Sequence, residues 1–249
     1  MLNGFGKHVL ESKSVLSDAS KEYIDSIDMR QNSFMEGEIV YNAGDSVNYV
    51  HIVQQGWLTS LNVLANGGRQ LLNFYTPNDL VGLEFLSSKE TPSTLKALSA
   101  STLVSVQRDD FVKIMRESPS LMEHFLLIVG LQDVIMQERI CSMSRMDAKH
   151  KIVYFLLLLK SKVDVKTQEE SQSLFLPLTQ YEIADSLGLT NVTVSKVMSE
   201  LERSGYIQYK RQRIEFLNSV DLTKMVDFKD RYAQFSKRLR GRDNIATAA

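Results

Sequence analysis

The 249-residue chain holds one cysteine, Cys141. A lone thiol excludes an internal disulfide and any all-cysteine metal or iron–sulfur site within one chain. Histidine is almost as sparse: His8, His51, His124 and His150 stand isolated and read as ordinary surface or core residues. Long apolar runs are missing too. The longest clean one, Ile152–Leu159, falls far short of the roughly 20 residues a membrane helix needs. The opening MLNGFGKHVLES has no apolar signal-peptide core. A soluble, intracellular protein with no membrane partner is expected. No bound cofactor is expected either.

Net charge is only −1, yet it is unevenly spread. Residues 1–140 carry 11 Lys+Arg against 17 Asp+Glu, whereas residues 141–249 carry 18 against 13. An acidic front and a basic rear suit a rear domain that meets a polyanion, although solvated helix faces would give the same bias.

The front half reads as β structure. In EGEIVYNAGDSVNYVHIVQQGWLTSLNVLANGGRQLLNFY, short β-rich runs alternate with turn signals. Trp57, Thr59, Leu61 and Val63 alternate with Leu58, Ser60 and Asn62, the period of a strand. Asn66-Gly67 is a hairpin signal, because both residues tolerate positive φ. Strands this short and this closely spaced suggest a small barrel or roll. A loop bearing Pro92 and a last strand, Thr102–Val106, follow.

From Ser118 to Ser144 the pattern becomes one long helix, with Ser118 as cap and Pro119 in its first position. Its apolar residues cover more than one face, so it needs two partners. One is the roll and the other a second copy of the chain, with Phe125, Ile128, Leu131, Gln132 and Ile135 expected at the contact. Gly130, Gln132 and Arg139 interrupt every candidate heptad stripe, so the register stays open, as does a plain core helix in a monomer. Asp147 then caps a buried helix over Ile152–Leu159, and Asp164–Ser173 reads as an exposed loop. Cys141 reads as a buried, inert thiol, with a redox switch as the alternative.

The segment LTQYEIADSLGLTNVTVSKVMSELERSG, Leu178–Gly205, holds two helices with barely a turn between them. Thr179 and Glu182 form a capping box, Gly188 supplies a left-handed stop and Thr190 caps the second helix. A three-residue turn, Gly188–Thr190, is the length of a helix-turn-helix. On the second helix Val194, Val197, Met198 and Leu201 share one side, and Asn191, Val192, Ser195, Lys196 and Ser199 the other. The second side suits the major groove: Asn191 for adenine, Lys196 for guanine or phosphate, Val192 for a thymine methyl, Ser195 for base or phosphate. Thr190 and Thr193 flank these at the helix start. Two β runs, Tyr206–Tyr209 and Arg213–Phe216, then bracket a basic tip. Lys210, Arg211 and Arg213 are the cations expected on phosphate.

Taken in order, AGDSVNYVHIVQQG, YTPNDLVGLEFL and LTQYEIADSLGLTNVTVSKVMSELERSGYI resemble the CRP/FNR family of bacterial transcription regulators over Ser33–Leu217. The resemblance implies an α+β chain: a cyclic-nucleotide-binding-like jelly roll (1–117), a dimerisation helix (118–145) and a winged helix-turn-helix (146–218), with 219–249 a helical extension beyond the usual domain. It also implies a homodimer on a near-palindromic operator in double-stranded DNA, contact with RNA polymerase, and an effector in or near the roll. Thr179 and Gln180 match positions that touch phosphate in the family. The effector positions correspond to Gly82, Leu83, Glu84, Ser93 and Thr94, and here the chain departs from the cyclic-AMP sensors. Gly82-Leu83 replaces Gly-Glu and Pro92-Ser93 replaces Arg-Ser, so the phosphate-binding arginine is missing, unless Lys96 substitutes. One cysteine excludes the iron–sulfur cluster of the oxygen-sensing branch. The changed residues at Val192 and Lys196 imply an operator unlike the commonest half-sites. The tail, with Leu222, Val226, Tyr232, Phe235 and Leu239 at helical spacing, reads as a solvated helix or one docked on the wing domain. In the second case Lys237, Arg238, Arg240 and Arg242 would add phosphate contacts. In either case NIATAA is expected to be disordered.

Two other functions are open to such a chain. A cupin-like metal enzyme would need clustered ligands, and the roll offers only His51. A pure ligand-binding module would leave the helix-turn-helix without a role.

Overall fold

The Asn66-Gly67 corner, with Gly67 at φ +80°, joins β4 (Leu58–Val63) to β5 (Arg69–Tyr75). The structure, a computed structural model, describes residues 27, 29–168 and 171–246, the last eight of these by backbone alone. The expectations for the N-terminal twelve residues and His8 lie outside the described residues. Two compact units divide the chain, Met1–Ile128 and Val129–Ala249.

The first unit is an antiparallel roll. Strands β1 (Arg30–Phe34), β2 (Ile39–Tyr41) and β3 (Tyr49–Gln55) precede the hairpin; β6 (Leu80–Val81), β7 (Thr94–Ala97) and β8 (Ser101–Gln107) follow it. They form two four-stranded sheets, ordered β1-β8-β3-β6 and β2-β7-β4-β5. Tyr41, Val53, Leu58, Val81, Phe85, Leu95 and Leu103 form one core. Val50, Ile52 and Val106 join Phe111, Ile114 and Met115 of α1 (Arg108–Glu117), with Leu121, in a second. A central strand such as β3 is therefore buried on both faces, which is why YVHIV reads as a continuous run. The alternation seen along 57–63 does not sort residues in and out of water. Leu58, Thr59, Ser60 and Leu61 are all buried, the Thr59 hydroxyl donating to Asn73 O at 2.8 Å.

The long helix, α2, runs Pro119–Arg145, with proline in its first position. Ser118 stands at a junction: its N–H closes α1 on Ile114 O and its carbonyl accepts from Met122. Within one chain the expected contact set is unevenly exposed. Ile135 is only 5% exposed within one chain, and Phe125 packs edge-on to Phe111 at 5.8 Å. Ile128 and Leu131 are half-buried and Gln132 is exposed. The exposed apolar stripe is instead Leu126, Val129, Met136 and Ile140, with Asp133 in line; half-buried Met122, which packs on the Phe111 core, and half-buried Met143 extend the same spacing. These seven positions alternate by fours and threes, a heptad seam. It was hidden in the sequence because Asp133 breaks it, while the inward Phe125-Ile128-Leu131-Ile135 set looks as good. Cys141, expected to be buried, is exposed. By length and composition α2 is also apolar enough to cross a membrane, but one such helix is weak evidence.

In the second unit Asp147 caps α3 (Ala148–Thr167) by accepting the His150 N–H at 3.0 Å, and Ile152–Leu159 are all buried. The helix overruns the expected loop by a full turn. Lys160 pairs with Asp164 four residues on, and Gln168 stops the helix at φ 58°. The far end of that loop enters a strand: β9 (Ser173–Phe175) pairs with β11 (Arg213–Phe216), which pairs with β10 (Ile207–Lys210). Helices α4 (Gln180–Leu187) and α5 (Asn191–Arg203) lie between, and α6 (Ser219–Met225) and α7 (Arg231–Ala246) close the chain. The tail is docked, since Leu222, Val226 and Tyr232 are buried. Of the end expected to be disordered, Asn244–Ala246 continue α7, and 247–249 lie outside the described residues.

Candidate nucleic-acid interface

The helix pair forms because each end is chemically closed. Thr179 Oγ1 accepts the Glu182 N–H at 3.2 Å, and Glu182 Oε2 accepts the Thr179 N–H at 2.9 Å, a complete capping box. Gly188 takes φ +62°, and its N–H closes on Ala184 O. Thr190 Oγ1 then accepts the Thr193 N–H at 3.1 Å, starting α5 three residues after α4 ends. Ile183, Ala184 and Leu187 of α4 are buried, as are Val194, Val197, Met198 and Leu201 of α5. Burial at about 25 cal/mol per Å² of apolar surface makes this seam the main hold on the second helix.

Two polar ties fix its far end. Lys149 of α3 reaches Glu200 at 2.8 Å and lies 5.9 Å from the Tyr206 ring centre. The hydrogen bond from Lys149, and then its charge, lower the pKa of the Glu200 carboxyl. Glu202 Oε1 accepts the Tyr209 N–H at 2.9 Å, joining α5 to the β10–β11 hairpin. Tyr209 in turn donates its hydroxyl to Leu178 O at 3.3 Å, in front of α4.

The opposite side of α5 is open. Val192 is 77% exposed, Lys196 is exposed, and Ser195 and Thr193 are half-buried. Thr190 and Thr179 are exposed and Gln180 is half-buried. Asn191 differs from expectation: its Oδ1 is enclosed and has no hydrogen-bond partner, so a bidentate contact to adenine needs a side-chain rotation. Tyr181, not among the expected residues, is 64% exposed in the first turn of α4 beside Gln180. An aromatic at an exposed helix start was the available signal.

The hairpin tip carries Lys210, Arg211 and Arg213, all exposed, with Arg213 Nη1 donating to Ser173 Oγ at 3.1 Å. Arg211 and Gln212 both have positive φ, 50° and 60°. That is the backbone of a tight two-residue hairpin turn. Strand β9 widens the hairpin to three strands, with Leu176 N–H bonded to Gln212 O.

In the roll, Gly82 at φ +88° starts the 3-10 turn Leu83–Leu86. Its neighbours Val81 and Phe85 share a core with Leu95, next to Thr94. Phe85 is fully buried, with its ring 5.5 Å from that of Tyr41. Burial, and then the charge of Glu84, raise the Tyr41 hydroxyl pKa. Ser93 is buried, and Thr94 Oγ1 accepts the Ala43 N–H at 3.0 Å. Aromatic and aliphatic side chains thus fill the interior beside the candidate effector positions. Among the described residues, no three or more His, Cys, Asp or Glu are grouped so as to hold a metal ion.

Comparison with known proteins agrees with this architecture. The cyclic nucleotide-binding domain family matches residues 31–118, and the Crp-like helix-turn-helix domain family matches residues 150–225. The "Anaerobic regulatory protein" of Haemophilus influenzae is 24% identical over 80% of this chain and 77% of its own length. The "Transcriptional activator protein FnrA" of Stutzerimonas stutzeri is 25% identical over 80% and 81%. Among solved structures, FixK2 of Bradyrhizobium japonicum superposes with a TM-score of 0.70 at 23% identity, covering 80% of this chain and 97% of that one. A CooA mutant of Carboxydothermus hydrogenoformans gives 0.66 at 20% identity, covering 88% and 95%. At such identities the superpositions establish the fold. With both domain families matched in this order, and regulators as the relatives along most of the length, the chain belongs to the CRP/FNR family of DNA-binding transcription regulators.

Proposed function

We propose that this regulator acts as a homodimer in the cytoplasm, placing its two α5 helices in successive major grooves of a near-palindromic operator. The observation that carries the reading is the mounting of α5. Its apolar side is packed, its far end is tied at Glu200 and Glu202, and its outer side leaves Val192, Ser195 and Lys196 free to meet base edges. Thr179, Gln180, Thr190, Thr193, Lys210, Arg211 and Arg213 serve the phosphates around that helix. Tyr181, exposed at the same end of α4, joins them.

The seam Met122–Met143 supports the dimer, because a second copy of the same stripe would cover it. The proposal extends to contact with RNA polymerase, a reading that the family resemblance supports. We assign the chain no enzymatic activity. The Gly82–Glu84 and Ser93–Thr94 positions are the place for an effector, but the packed Tyr41–Phe85 interior argues against a cyclic phosphate, which would be buried without a cation.

In vitro selection from random duplexes tests the reading. The expected product is an inverted repeat with half-site centres about 34 Å apart. An Asn191→Ala, Lys196→Ala double variant should lose most of its affinity for that duplex. Failure to enrich any repeat would overturn the proposal.

A further inference from the structure

The C-terminal helix α7 lies beyond the matched helix-turn-helix family, which ends at residue 225, so the shared fold does not require it. It is nonetheless tied to two other helices. At its start Asp230 Oδ1 accepts the Ala233 N–H at 2.8 Å, capping the helix, and also accepts the hydroxyl of buried Ser161 of α3 at 2.5 Å. The next residue, Arg231, reaches Glu138 of α2: Nε lies 2.7 Å and Nη2 2.6 Å from Oε1. The other oxygen of Glu138 accepts the hydroxyl of Tyr154 of α3, at 3.3 Å. The Tyr154 ring meets Phe228 edge-on at 5.7 Å, and Tyr232 is buried.

One carboxylate therefore joins three helices. Glu138 lies before the break between α2 and α3, and Tyr154 lies after it. The break itself is Met146 and Asp147, held by Met146 N–H to Ser142 O and by the Asp147 cap. A two-residue joint between two long helices is held in angle by whatever spans it. Charge-assisted bonds to a half-buried carboxylate are among the stronger ways to hold it.

We propose that α7 is a strap across this joint: Arg231, bound to Glu138, locks the angle between the rear half of α2 and the DNA-binding domain that follows. The strap sets the direction in which α5 is presented. Its effect on operator binding rests on the dimeric DNA-binding reading above; the lock itself does not.

Hydrogen exchange on the full chain tests the lock. In Arg231→Met, which keeps the side-chain bulk, peptides spanning 142–151 should exchange about tenfold faster or more, while the β10–β11 hairpin is unchanged. The charge swap Glu138→Arg with Arg231→Glu should restore slow exchange, which general loosening would not allow. Unchanged exchange in Arg231→Met, or no recovery in the swap, overturns the strap.

A second measurement uses a duplex selected with the full chain. Arg231→Met should weaken binding to the two-half-site duplex about tenfold and leave a single half-site unaffected. Faster exchange with unchanged two-site affinity would overturn the link to DNA. If no duplex is ever selected, the regulator reading fails and the exchange result still decides the lock.

Discussion

His51 and Ser105 face each other across the β3–β8 ladder, with the imidazole Nδ1 2.8 Å from the Ser105 Oγ. The ring is buried and its Nε2 has no hydrogen-bond partner. Burial pushes the His51 pKa down to about 4. An unfolded chain protonates this histidine from about pH 6.5, so between there and about pH 4 it binds more protons than the folded one. Stability must fall as pH falls through that window, by about 3 kcal/mol in total. His51→Gln does not titrate and should lack this part of the slope. Urea unfolding of both proteins at pH 7 and pH 4 measures the difference, and equal slopes would refute it.

Two glycines with positive φ should respond very differently to alanine. At Gly188 an added Cβ meets nothing within 4 Å, so Gly188→Ala should cost only the left-handed backbone penalty, about 1 kcal/mol. At Gly56 the Cβ would lie 2.3 Å from the Ala100 carbonyl oxygen, against backbone that cannot yield. Gly56→Ala should fail to give folded protein. Thermal melting of both variants checks the contrast.

The exposed cations of the hairpin tip should act without regard to sequence. Lys210→Ala and Arg211→Ala should each weaken operator and random duplex alike, and each should reduce the salt slope of binding by about 1. Titrations at several salt concentrations decide this. A change confined to the operator would move these residues from phosphate to base contact.

Asp133 is the one charge in the Met122–Met143 seam, where its carboxylate accepts from Gln137 at 2.7 Å. In a paired helix, like charges would meet there. Asp133→Ile should tighten self-association on the order of tenfold, and Leu126→Glu should weaken it. Sedimentation equilibrium reads both. Unchanged association in both variants would place the dimer contact elsewhere.

Local chemistry made much of this molecule legible in advance. The Thr179–Glu182 box, the Gly188 stop and the Thr190 cap each depend on residues within four positions of one another, and all three stand as expected. What sequence could not show depended on distant partners. The face of α2 that turns outward was ambiguous, because Ile135 and Ile140 are equally apolar and only tertiary packing separates them. The last turn of α3 is an exception: it reads as a polar loop although the Lys160–Asp164 pair that supports it is local, four residues apart. Strand β9 is three residues long and exists only because β11 offers an edge. On the outer side of α5, Val192 and Lys196 are exposed as their helical spacing predicts, whereas the enclosed Oδ1 of Asn191 could not be foreseen.

Arg211 and Gln212 hold left-handed backbone angles that an asparagine and a glycine would adopt more comfortably. Relaxing that corner would favour the native state by roughly 1 kcal/mol per residue. It would also delete a cation from the site where the duplex is expected. A screen that rewards heat resistance alone should therefore drift toward glycine here and quietly erode the grip on nucleic acid, so robustness and grip pull this corner in opposite directions.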